Sequence, residues 1–139
     1  MILDDGTALY IIEARKCFED LRQVASQLAG LLVLAAAGAD SAAPDHPLVA
    51  TAGQLHQVSL DGLYETRPTE RAREHHHYLL RAAGSIGEAL AAAQRGREID
   101  PILIPLRSAY LHLQRVSQLL PGFEMVNFEQ GCCAGRAAL

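Results

Sequence analysis

Tryptophan is absent, and aromatic residues make up only 5% of the 139 residues. A core built without them must be aliphatic and rich in alanine. Small side chains let helices approach closely, whereas a large sheet sandwich wants β-branched and aromatic residues. Cysteine is scarce too: Cys17, Cys132 and Cys133, an odd number without framework spacing, fit a reducing compartment. A bond between the neighbours Cys132 and Cys133 would close a strained small ring, so a structural disulfide there is not expected. No clustered basic stripe occurs, and the formal net charge is −4, which argues against a nucleic-acid footprint. Arginines instead alternate with glutamates, as in Glu70, Arg71, Arg73 and Glu74, the pattern of a solvated helix face.

Long apolar runs are also missing. The longest stretch near the N-terminus without a charged or polar side chain, residues 28–39, is twelve residues, and a bilayer span takes about twenty. The opening "MILDDG" is acidic, unlike a secretory signal. These features place the protein in the cytoplasm, with no membrane partner. Phosphate-loop, H-E-x-x-H and G-x-S-x-G motifs are all lacking, so the chain reads more readily as a binding protein than as an enzyme.

What is present is helical periodicity in four segments. The first runs from about Thr7 to Ala37, with Ile11, Ala14, Phe18, Leu21, Ala25, Leu28, Leu32 and Ala35 spaced alternately by three and four. Cys17, Val24 and Leu31 widen this stripe, and such a broad face wants more than one neighbour. "GADSAAPDHP" breaks the pattern. A second helix from about Pro47 to Leu63 carries Leu48, Ala52 and Leu55, with Asp45 as its expected N-cap. After "YETRPTE", a third helix from Pro68 or Thr69 to about Gln94 carries Ala72, His76, Leu79, Ala83, Ile86, Leu90 and Ala93. "RGREIDP" ends it, and Asp100-Pro101 has the cap and first-turn signature of a fourth. That helix carries Ile102, Leu106, Ala109, Leu113, Val116 and Leu120, and Pro105 predicts a late start or a bend. The expected fold is an all-α, antiparallel four-helix bundle over residues 1–122. A tail, 123–139, contains Phe123, Met125, Val126 and Phe128, too apolar to hang free, and is expected to pack on the bundle.

"REHHHYLLRAAGSIG", residues 73–87, holds the densest chemistry. Successive helical residues differ by about 100° in direction, so His75, His76 and His77 fan around the axis and cannot converge on one ion. Glu74 and His77 form the single E-x-x-H pair, whereas a di-iron carboxylate bundle uses two. A zinc or copper site would draw instead on His56, His76 and His112 from three helices, or on the thiolates of Cys132 and Cys133; burial of each as a boundary side chain is the plainer alternative. Asp61 and Glu65 share one face at i and i+4, as a solvated helix end also would.

From His77 the chain reads H-Y-L-L-R-A-A-G-S-I-G. This resembles the phosphoacceptor helix of histidine phosphotransfer domains, roughly H-x-L-K-G-x-A-G-x-I-G, with His77, Leu79, Ala83, Gly84, Ile86 and Gly87 in matching places. The resemblance implies a four-helix bundle that carries a phosphoryl group on His77 between a kinase and a receiver aspartate. Leu80 and Arg81 depart from the pattern, which has Lys and Gly there. Arg81, four residues beyond His77, is placed either to take over the phosphate contact or to crowd the partner. The plain alternative is that Gly84 and Gly87 admit a neighbouring helix.

The residues thus support three readings. The leading one is a non-enzymatic binding module, regulatory or adaptor, with a protein partner or a second copy of itself, since the apolar faces of the first and fourth helices are broad. Phosphotransfer through His77 with Arg81 comes next. A bundle with a histidine-lined metal or small-ligand site is third. No cofactor is otherwise expected.

Overall fold

A computed structural model describes residues 3–38, 46–96 and 98–125. Four α-helices account for most of them: α1 (Asp5–Ala36), α2 (Pro47–Glu65), α3 (Arg73–Arg95) and α4 (Asp100–Leu119), with a 3-10 turn at Glu70–Ala72 leading into α3. The α3–α4 and α1–α2 pairs pack most extensively, α2 with α3 and α4 with α1 close the ring, and α1 also touches α3 across the centre. Among the described residues α2 and α4 do not meet.

The helices alternate in direction. Thr7 near the start of α1 meets Thr69 ahead of α3, Tyr10 meets His75 in the first turn of α3, and Arg15 reaches Gly122 beyond α4. Both helix starts and the α4 exit therefore lie at one end, as short connections between antiparallel neighbours require.

Local chemistry explains the boundaries. Asp4 caps α1, accepting from the Thr7 N–H at 2.9 Å and from the Thr7 hydroxyl at 2.6 Å. Those two bonds hold the Asp4 carboxyl below its usual pKa. The cap of α2 is His46, not Asp45: its Nδ1 accepts from the Leu48 N–H at 3.0 Å, with Pro47 following in the first turn. Asp45 itself lies outside the described residues. Ahead of α3 the chain makes the tighter 3-10 turn, so the α-helix proper starts at Arg73, later than the sequence suggests. In α4, Ile99 stands at the cap position and Asp100 is the first helical residue. There its carboxylate complements the positive end of the helix dipole. The helix neither starts late nor breaks at Pro105, because near an N-terminus a proline removes only one hydrogen bond.

The core is as alanine-rich as the composition requires. Ala14, Ala25, Ala52, Ala82, Ala83, Ala89 and Ala109 are fully buried between the larger Leu21, Leu28, Leu63, Leu79, Ile86 and Leu113. Its aromatic part gathers at the end where α4 exits. Gly122 turns the chain there with φ +95°, a conformation open to glycine, and Phe123 enters the core at 1% exposure. Its ring meets Phe18 edge to face at 5.4 Å. Arg15 donates to the Gly122 carbonyl and Arg22 to the Glu124 carbonyl, fastening this segment to α1. The tail beyond Met125, with Val126, Phe128, Cys132 and Cys133, lies outside the described residues.

Candidate binding site

The fan of three histidines divides as helix geometry demands, but one residue out of register with the sequence reading. His75 is the buried one, at 1% exposure, while His76 is half-buried and His77 exposed. Both His75 and His76 stand a turn before Leu79, at i−4 and i−3, so spacing alone admits either. Tyr10 decides between them. Its hydroxyl lies 2.7 Å from His75 Nδ1 and 3.4 Å from His76 Nδ1, and the ring of Phe123 covers His75 with centroids 4.2 Å apart.

This buried group packs the core and carries a polar cost. A hydroxyl that donates to Nδ1 places the ring proton of a neutral imidazole on Nε2, and the Nε2 of His75 is buried without a hydrogen-bond partner. Burial, and then the neighbouring His76, depress the His75 pKa from 6.5 to about 4. The ring is therefore neutral near pH 7. Burial likewise lowers His76 and raises the Tyr10 phenol.

His77 points the other way and is exposed. Its ring lies 5.4 Å from that of Tyr78. Tyr78 in turn stands 6.0 Å from the ring of His112 on α4, and the Arg115 guanidinium lies 5.9 Å over it. Arg115 also pairs with Glu74 at 3.3 Å. The His112 Nε2 is 3.4 Å from the Ser108 hydroxyl, which is 3.4 Å from that of Ser85. The pKa of His112 is lowered by burial first and then by the charges of Arg81 and His77, so those three groups share one electrostatic neighbourhood. Arg81 makes no ion pair among the described residues.

The imidazoles considered as metal ligands are held apart. His56 Nε2 is bonded to the Ala83 carbonyl at 2.9 Å, His76 leans on Tyr10, and His112 turns to Ser108. Among the described residues no three His, Cys, Asp or Glu side chains come together in a group able to hold a metal ion. The two glycines after His77 also differ in role. A Cβ on Gly87 would stand 3.2 Å from the His56 ring, so this glycine seats His56, whereas a Cβ on Gly84 would meet nothing within 4 Å.

On the α1–α2 side a cleft of about 590 Å³ opens between Glu13, Asp20, Asp61 and Glu65, with Cys17 and Gly62 at its floor. The absent side chain of Gly62 leaves room for the Cys17 sulfur, only 2.8 Å from where a Cβ would stand. Burial, and then Asp20, push the Cys17 thiol pKa up, which disfavours the reactive thiolate. Asp61 and Glu65 were legible as an i, i+4 pair. Their facing carboxylates on α1, Glu13 and Asp20, were not, because they lie on a helix distant in sequence.

No family model matches the chain, and comparisons with curated proteins and with solved structures likewise gave no match. No helix among the described residues is long and apolar enough to cross a membrane.

Proposed function

We propose that the protein is a non-enzymatic binding module, regulatory or adaptor in role, whose working surface is the α3–α4 face and whose partner is an acidic protein surface. One observation carries this. Ile104 and Leu111, two turns apart on α4, are each 67% exposed, on the helix stripe that also bears Ser108 and Arg115. Large apolar side chains on α4, with Arg115 on the same stripe and Arg81 on the α3 helix packed against it, offer an apolar anchor and positive charge, the combination that interfaces with acidic partners use. The odd cysteine count is consistent with a cytoplasmic setting. The test is a photo-crosslinking residue placed at position 111 of the full chain in cells, with position 33 as control, since Val33 is comparably exposed at 69%. A discrete adduct from position 111, lost when Arg81→Glu is added, supports the reading. An adduct of twice the chain's mass identifies the partner as a second copy. Equal background from both positions removes the reading.

A second reading is favoured by the exposure of His77 with Arg81 one turn on. In it a ring nitrogen of His77 attacks the phosphorus of an acyl phosphate, the phosphorus–oxygen bond breaks, the carboxylate departs, and the ring proton passes to water. Incubation with a small acyl phosphate should then give an acid-labile label that His77→Gln abolishes. A label that survives this substitution, or none at all, ends the idea.

A further inference from the structure

We propose that the acidic surface on which α4 docks is the α1–α2 face of a second copy of this chain, so that copies associate head to tail. The inference rests on the binding role proposed for the α3–α4 face and names its partner. Charge is segregated between two helices. α2 contains no Lys or Arg, and its charged residues are Asp61 and Glu65. α4 is the reverse: after Asp100 at its start it carries Arg107 and Arg115 and no carboxylate. Both helices also leave large apolar side chains in solvent, Val58 at 54% on α2 and Ile104 and Leu111 at 67% on α4.

Each helix gathers these groups on one stripe. Val58, Asp61 and Glu65 follow one another at spacings of three and four, as do Ile104, Arg107, Leu111 and Arg115, so charge and apolar surface share a face in both. The α2 stripe borders the cleft of about 590 Å³, to which Glu13 and Asp20 of α1 add their carboxylates. Lys16 pairs with Asp20 at 3.3 Å, whereas Glu13, Asp61 and Glu65 make no ion pair among the described residues. On α4, Arg115 is held by Glu74 at 3.3 Å, and Arg107 makes no ion pair among the described residues. Opposite charges with exposed apolar side chains among them are what a specific interface brings together. The bundle then fixes the symmetry. α1 packs on α2 and α3 on α4, and α2 does not meet α4 among the described residues. The two faces therefore lie on opposite sides of the bundle and cannot both meet one neighbour. Each copy offers α4 to one neighbour and its cleft to the next, a heterologous contact.

Sedimentation of the full chain should show a mass that rises with concentration and falls back in high salt, which screens exposed charge. Two variants then split the contact, using neutral replacements at exposed positions: Arg107→Gln with Leu111→Gln on α4, and Val58→Gln with Asp61→Asn on α2. Each variant alone should lose self-association. Mixed in equal amounts they should form a pair of twice the chain's mass that grows no further, through the intact cleft of the first and the intact α4 of the second. Recovery of that pair also shows that both variants are folded. A wild-type chain that stays monomeric, or a cleft variant that associates as the wild type does, overturns the proposal, and an adduct from position 111 then tells whether α4 still holds a foreign acidic protein. Variants that stay apart when mixed, each with the helical circular dichroism of the wild type, overturn the head-to-tail contact.

Discussion

His75 and His77 are two residues apart and chemically identical, yet they belong to different parts of the molecule. His75 sits under Phe123 and against Tyr10 with 1% of its surface exposed. His77 stands exposed on the α3–α4 face beside Tyr78. Two steps of about 100° around the helix axis carry the side chain from core to surface. The difference shows why a run of histidines is uninformative until the core side of its helix is known. One ring is a packing element kept neutral by burial, and the other is open to solvent.

The comparison breaks most visibly at its buried end. Phe123→Ala should cost about 3–5 kcal/mol, the usual loss for an aromatic removed from a core, read as a lowered denaturant midpoint. A second large effect is the dependence of stability on pH. The His75 pKa is about 4 folded against 6.5 for an unperturbed ring, so the unfolded chain takes up the proton first as pH falls. The contribution is complete above pH 6.5 and declines until about pH 4, by roughly 3 kcal/mol in all. Burial lowers His76 and His112 in the same direction, so His75→Leu should flatten most of this slope and leave a remainder. Denaturant titrations at several pH values measure it.

Smaller effects sharpen the contrast. Tyr10→Phe removes the hydroxyl from His75 Nδ1 and leaves that buried nitrogen unpaired, at a cost of about 1–3 kcal/mol, visible as a lower melting temperature. On the open face, Glu74→Gln breaks an exposed ion pair with Arg115 and should change stability by less than about 1 kcal/mol. His77→Gln should change it by no more than about 0.5 kcal/mol. A large loss of stability from His77→Gln would mean that this ring also belongs to the packing.

Much of the architecture was legible in the chain because helical spacing and breakers are local signals. The Ile102, Leu106, Ala109, Leu113 and Val116 stripe of α4 is buried as its spacing predicts, and Gly and Pro mark the connections. Local signals fail where an answer depends on a distant residue. The choice of His75 over His76 rests on Tyr10, 65 residues away. The attachment of His56 to the Ala83 carbonyl needs the space left by Gly87 on another helix. The acidic cleft exists because Gly62 and Cys17 fit together, a match that neither segment announces. Tyr10 offered one usable clue: it lies three residues after Thr7 and four before Ala14, on the same side of α1, so the apolar stripe could have been extended through it to the helix start.

The most direct test of the division between a sealed and an open imidazole is carbethoxylation of the folded protein. A tryptic peptide from Glu74 to Arg81 carries all three neighbouring histidines, and fragment masses locate the label among them. The account predicts rapid modification of His77 and protection of His75 until the chain unfolds, with His76 between them. Equal modification of His75 and His77 in the folded protein would contradict it.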